Sequence, residues 1–163
     1  MVDTGFSSFD TMVDKANHIL KEIEKPYGWP KERRKQSYAA LRAVLHQLRD
    51  RLSVEESAQF AAQLPTLLRG IYYDGWKPAE TPVKMHKEEF LERVKRDFRY
   101  SVDGGTEQLV HTVLTALQQH ISEGEWKDLK AHMPTSLAAV LPDGPAPEAP
   151  REKPEKPASE APR

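Results

Sequence analysis

Six histidines and the complete absence of cysteine set what metal or nucleophile chemistry this chain could attempt. A zinc site needs three or four nitrogen, sulfur or carboxylate donors converging on one point, usually at short or helical spacing. His111 and His120 stand nine residues apart on one expected helix, which puts them on opposite faces, and neither H-x-x-x-H nor H-E-x-x-H occurs. His46 borders an apolar stripe and reads as a boundary residue. Without cysteine there is no thiol nucleophile, thiolate ligand or disulfide, which fits a reducing compartment. Acid–base or serine chemistry needs a positioned pair in a cleft, yet the chain has no G-x-S-x-G, no glycine-rich phosphate loop and no carboxylate isolated in an apolar run. Asp14, Glu22, Glu24, Glu55 and Glu92 lie among basic residues at helical spacing and read as solvated faces. Gly104-Gly105 opens a helix and reads as a plain turn rather than an anion site. The expectation is no catalytic residue, no metal and no cofactor.

Two other residue groups carry recognition chemistry. The segment Arg69-Gly-Ile-Tyr-Tyr-Asp-Gly-Trp-Lys-Pro78 gathers arginine, tyrosine and tryptophan, the types that dominate binding hot spots. Three large aromatics, Tyr72, Tyr73 and Trp76, cannot all point inward from so short a stretch. They either plug a seam or, with Arg69, form an anchor surface; Tyr27 and Trp29 pose the same choice. If the two aromatic groups meet in space, a shared groove is the better reading. As a contact surface, Arg69, Tyr72, Tyr73, Trp76, Tyr27 and Trp29 predict that Trp76→Ala weakens association and spares helicity. The basic runs Lys31-Glu-Arg-Arg-Lys35 and Arg93-Val-Lys-Arg-Asp-Phe-Arg99 would serve a nucleic acid only if they shared one face with free aromatics. Interleaved acids argue instead for exposed helix faces and a last turn matched to its dipole.

The elements that position these residues are written twice. Residues 40–72 overlay residues 109–141 without a gap at an offset of 69, pairing Val44 with Val113, Leu45 with Leu114, Leu48 with Leu117, Ser53 with Ser122, Glu56 with Glu125, Pro65 with Pro134 and Leu68 with Leu137. Leu41, Val44, Leu45, Leu48 and Leu52 recur at three and four residues, the stripe of an amphipathic helix, as do Val110, Val113, Leu114, Leu117 and Ile121. Ser53 with Glu56 and Ser122 with Glu125 both read as capping boxes opening a new helix, with Ile121 and Trp126 adding a hydrophobic staple. Pro65 and Pro134 mark a further restart. A weaker echo at an offset of 81 sets Phe9, Val13 and Ala16 over Phe90, Val94 and Asp97, which would place 12 extra residues around Lys25–Pro30. The spacing predicts helices over 6–24, 31–52, 54–63, 65–74, 84–99, 105–121, 123–132 and 134–141.

The fold class expected is all-α: two tandem, related four-helix units, 1–78 and 79–142, closed as one compact body on a common core, because a unit of about 70 residues is marginal alone. Residues 143–163 hold a proline-rich stretch with no large apolar side chain and read as a disordered tail. Formal charge is −1, and the chain up to Pro142 carries 20 basic and 20 acidic residues, so no global field favours nucleic acid or an anionic membrane. No signal-peptide pattern and no run approaching ~18 apolar residues is visible, so no membrane association is expected and a cytoplasmic setting is.

The stretch EEFLERV followed by VLTALQQHISEGEWKDLKAHMPTSLAAVLP resembles the bacterial family known as domain of unknown function 2267, and YAALRAVLHQLRDRLSVEESAQFAAQLPTLLRGIYYDGW is similar to the same family. The likeness spans roughly residues 6–142. It departs at Asp10-Thr11-Met12, where the family has L-x-R, and at Val54-Glu55, where it has glycine. The resemblance implies an all-helical soluble bacterial protein and no activity. The function expected is a non-enzymatic helical interaction or assembly module acting on a protein partner or on a second copy; the alternative is a nucleic-acid-binding helical protein.

Overall fold

The computed structural model describes residues 3–143; the expectation for the proline-rich tail falls beyond Asp143, outside the described residues. Among the described residues there are eight α-helices and no strand. They are α1 (Ser7–Glu24), α2 (Arg34–Arg51), α3 (Val54–Gln63), α4 (Thr66–Tyr73), α5 (Lys87–Asp97), α6 (Gly105–Gln118), α7 (Glu123–Ala131) and α8 (Thr135–Ala138), with single 3-10 turns at Lys25–Tyr27, Lys31–Arg33 and Pro78–Glu80.

The restarts follow the residues expected to cause them. Ser53 Oγ accepts from the Glu56 N–H at 3.2 Å while Glu56 Oε1 accepts from the Ser53 N–H at 3.0 Å, a complete capping box. The second box is only half formed. Ser122 Oγ accepts from the Glu125 N–H at 3.3 Å, but the Ser122 N–H donates to Gln63 Oε1 at the end of α3, also at 3.3 Å. An amide from the other half has replaced the glutamate. Pro65 and Pro134 sit at the N-caps of α4 and α8 with extended ψ of 149° and 147°. The last helix is shorter than the spacing suggests. After Ala138 the chain continues in tight turns, Val140 N–H to Leu137 O and Leu141 N–H to Ala138 O, which bury Val140 and Leu141. Gly104 and Gly105, at the start of α6, both have φ of +83°, a conformation that a side chain would strain.

One continuous apolar core runs through both halves. Leu45, Leu48 and Leu68 are fully buried, and so are Leu114, Leu117 and Leu137 at positions 69 residues later. Packing between the halves comes in exchanged pairs: α1 lies on α6 as α5 lies on α2, while α2 meets α6 and α3 meets α7. Within the halves, α1 packs on α4 and α5 on α8. Helix α2 is therefore central, touching α1, α4, α5 and α6.

Burial corrects the register of the first helix. Phe9 is 54% exposed whereas Phe90 is 0% exposed, so the offset of 81 lays a surface residue over a core residue. An offset of 71 matches instead, placing Ile19 with Phe90 and Ile23 with Val94, all four fully buried. The linker between α1 and α2 is then only two residues longer than that between α5 and α6, nine (25–33) against seven (98–104). The extra length lies in α1 itself, whose first turns have no counterpart in α5. Their side chains reach full burial only from Ile19 onward.

Candidate functional site

The aromatic segment after α4 is built mainly into the body. Tyr72 is fully buried, and its hydroxyl donates to Ser57 Oγ at 2.9 Å; burial pushes its pKa well up. It cannot be part of a contact surface, because α4 turns that face towards the core. Arg69 is an exposed residue with a committed head group: Nε donates to Ala61 O at 3.0 Å, and Nη2 to Ala62 O and Leu64 O, each at 3.3 Å. Its guanidinium closes the C-terminus of α3, where carbonyls lack helical partners, and so is no free anchor. Tyr73 and Trp76 are half-buried against one another and Tyr72, with ring centroids 5.2 Å apart for Tyr72–Tyr73 and 5.1 Å for Tyr73–Trp76.

The other aromatic group is separate. Tyr27 and Trp29 stack at 4.5 Å with their planes 15° apart, both half-buried, and Tyr27 lies beside Thr112 of α6. Burial raises the Tyr27 pKa, with neighbouring Thr112 tempering the rise. Among the described residues no ring of this pair packs on a ring of the Tyr72 group, so the shared groove is not formed. In the corrected register Tyr27 and Trp29 match Phe98 and Tyr100, which also pair, at 5.5 Å. They belong to the packing scheme rather than to an insertion.

A polar knot joins α1 to α2. Glu24, read from sequence as a solvated carboxylate, is buried. Arg34 reaches it with Nε at 3.3 Å and Nη2 at 3.1 Å, and the Ser37 hydroxyl donates to it as well. Its charge is consumed by structure, since a buried carboxylate needs this degree of pairing.

A second arrangement joins residues that sequence reasoning left apart. Between α2 and the end of α5 lies an open cleft lined by Tyr38, Ala39, Arg42, Ala43, His46, Arg96, Asp97 and Arg99. Gln47 Nε2 donates to Asp97 Oδ2 at 2.8 Å and fixes the two helices along it. Arg42 Nη1 pairs with Asp74 at 2.8 Å, which holds the Asp74 carboxyl below its usual range. Arg96 Nε pairs with neighbouring Asp97 at 3.2 Å. His46 donates Nε2–H to Ile71 O at 2.8 Å; its partial burial lowers its pKa, and that hydrogen bond partly offsets the fall. Tyr38 is 40% exposed and Tyr100, next to Arg99, is 48% exposed. Three arginines and an accessible tyrosine thus converge on one face. The basic run from Arg93 to Arg99 was visible in the sequence; Tyr38 and Arg42 were not, because only the α2–α5 packing brings them there.

The corresponding cleft between α1 and α6 has different chemistry. It is lined by Glu22, Lys25, Pro26, His111, Thr112, Thr115, Ala116 and Gln119. At offset 69, Arg42 becomes His111 and His46 becomes Thr115, and no arginine faces this cleft.

Among the described residues, no three of His, Cys, Asp and Glu gather where they could hold a metal ion, and no helix is long and apolar enough to cross a membrane. No curated protein matches the chain. A model of the family described as "Uncharacterized conserved protein (DUF2267)" matches residues 16–143, from the point where α1 enters the core to the last described residue. With this match running through all eight helices, the chain belongs to the DUF2267 family of uncharacterized conserved proteins.

Proposed function

We propose that the chain is a non-enzymatic helical interaction or assembly module that engages a protein partner through the α2–α5 cleft, with Tyr38, Arg42, Arg96 and Arg99 as its contact residues. One observation carries this reading: the arginines gather in one cleft and are missing from its counterpart on α1 and α6, so helix packing does not require them there. Arginine and tyrosine on a rigid helical face are the types that supply most binding energy in protein interfaces. The duplication of a four-helix unit, 1–78 and 79–142, belongs to the same proposal. It is supported by the exchanged helix pairs and the matched burial at offset 69, and it leaves one cleft free to diverge. A soluble protein of the bacterial cytoplasm is the setting this reading assumes.

The test is Arg96→Glu with Arg99→Glu. Loss of partner co-purification with unchanged helicity supports the reading, and undiminished co-purification contradicts it. The same arginines favour a second reading, a nucleic-acid contact. Asp97 and Asp74 inside and beside the cleft, and Glu89 and Glu92 along α5, weigh against a polyanion. Binding of labelled DNA or RNA that falls steeply with salt would replace the protein reading with this one.

A further inference from the structure

Helix α1 outruns the body that holds it. His18 lies against His120 with ring centroids 6.2 Å apart, and Tyr27 lies beside Thr112, so α1 and α6 run antiparallel. Because α6 ends at Gln118, the part of α1 before His18 passes beyond it. This overhang is ordered locally: the Thr4 N–H donates to Asp10 Oδ1 at 2.6 Å, the Gly5 N–H to Asp3 Oδ1 at 2.9 Å, and the Asp10 N–H to Phe6 O at 3.0 Å. It also carries an apolar stripe. Phe6, Phe9, Val13 and Ala16 follow helical spacing into Leu20 and Ile23, which the core covers. Phe6 and Phe9 pack edge to face at 5.0 Å, and each is more than half exposed.

We infer that the α1 overhang pairs antiparallel with the overhang of a second copy of this chain, continuing the core stripe across a two-fold axis near Val13. Charge selects the second copy as the occupant. Asp3, Asp10 and Asp14 are the only charged residues from 3 to 14, and Lys15 and Lys21 flank His18 in the next stretch with no acid between them. Turned antiparallel, the acidic start of one helix lies beside the basic stretch of the other, the self-complementarity that an isologous interface requires. Among the described residues Asp14, Lys15 and Lys21 have no ion-pair partner within the chain. The family match covers residues 16–143, so most of the overhang lies outside it. A pairing this short falls below the roughly 800 Å² per partner of standard interfaces, so the dimer is concentration-dependent.

Sedimentation equilibrium of the full chain tests this. The wild type is expected to dimerise with concentration, and Phe6→Ser with Phe9→Ser to raise the dissociation constant at least tenfold with unchanged helicity. Asp14→Lys, and separately Lys15→Glu, both of which leave the Thr4–Asp10 bond in place, should each weaken dimerisation alone and form a one-to-one heterodimer when mixed. A wild type monomeric at every concentration, a Phe6/Phe9 variant that dimerises normally, or charge variants that do not rescue one another would overturn the inference. None of these variants touches the α2–α5 cleft, so its partner reading stands or falls separately.

Discussion

Arg49 and Gln118, 69 residues apart, hold equivalent carbonyls in the two halves, with Arg49 Nη1 donating to Asp74 O at 2.7 Å and Gln118 Nε2 donating to Asp143 O. Both are buried polar residues on the inner helix of their half, and each bonds the chain where it leaves that half's last helix. The carbonyls of Ile71 and Val140, also 69 apart, are each held by a histidine, but from different positions: His46 binds Ile71 O, while His111, one helical turn earlier in the matched register, binds Val140 O. Arg49 does more than its counterpart, for it also reaches Tyr72 O at 3.3 Å and Asp50 at 2.9 Å.

Removing these donors should therefore cost unequally. Arg49→Met is expected to lose about 2–3 kcal/mol, the scale of buried hydrogen bonds from a charged group, and Gln118→Leu about 1 kcal/mol. Urea unfolding of the two variants checks the order, and equal losses would show that the two sites are not built as described.

Glu24 gives a sharper case. Glu24→Ala leaves Arg34 facing a buried site with its carboxylate gone, and breaking such a pair costs about 3 kcal/mol or more. Thermal melting should show a large fall for Glu24→Ala and almost none for exposed Glu55→Ala. Similar melting of the two would return Glu24 to a solvated surface.

Tyr72 and Trp76 separate packing from recognition. Tyr72→Ala should cost about 3–5 kcal/mol as a large core truncation, and Tyr72→Phe about 1 kcal/mol for the bond to Ser57. Half-buried Trp76→Ala should cost less, with no effect on association at the α2–α5 cleft. If Trp76→Ala abolished partner binding while stability held, the aromatic segment would be the contact surface after all.

Stability should depend on mildly acidic pH. Burial is the main cause that lowers the pKa of both His46 and His120 from 6.5, and neighbouring His18 and Lys15 push His120 further down. Each therefore takes up its proton more readily unfolded than folded. Their contribution is complete above pH 6.5 and declines as pH falls through that value toward the folded one. The depressed carboxyls of Asp10 and Asp74 act lower, losing their contribution as pH drops below about 4. The urea midpoint should fall between pH 8 and 5.5, and His46→Gln with His120→Gln should flatten that fall. An unchanged slope in the double variant would contradict it.

The helices were legible because their signals are local. The stripe from Leu41 to Leu52, the Ser53 and Ser122 caps and the two prolines each act within a few residues, and each of the eight helices falls within its expected span, α8 filling only half of its own. What escaped depends on which helix meets which. Phe9 and Val13 look like core residues in sequence, and only the end of α6 reveals that they overhang it. Glu24 has the spacing of a surface carboxylate until Arg34 and Ser37 fold over it. Tyr38 and Arg42 join Arg96 and Arg99 across more than 50 residues of chain, a convergence no short window contains.

The measurement that bears most directly on the proposed contact face is site-specific photo-crosslinking in the native cell. A photoreactive phenylalanine analogue at Tyr38 should trap a discrete protein partner, and Arg96→Glu with Arg99→Glu should remove that product. The same probe at Thr115, in the corresponding cleft of α6, should trap none. Equal products from both positions, or a Tyr38 product that survives the arginine reversals, would contradict the account.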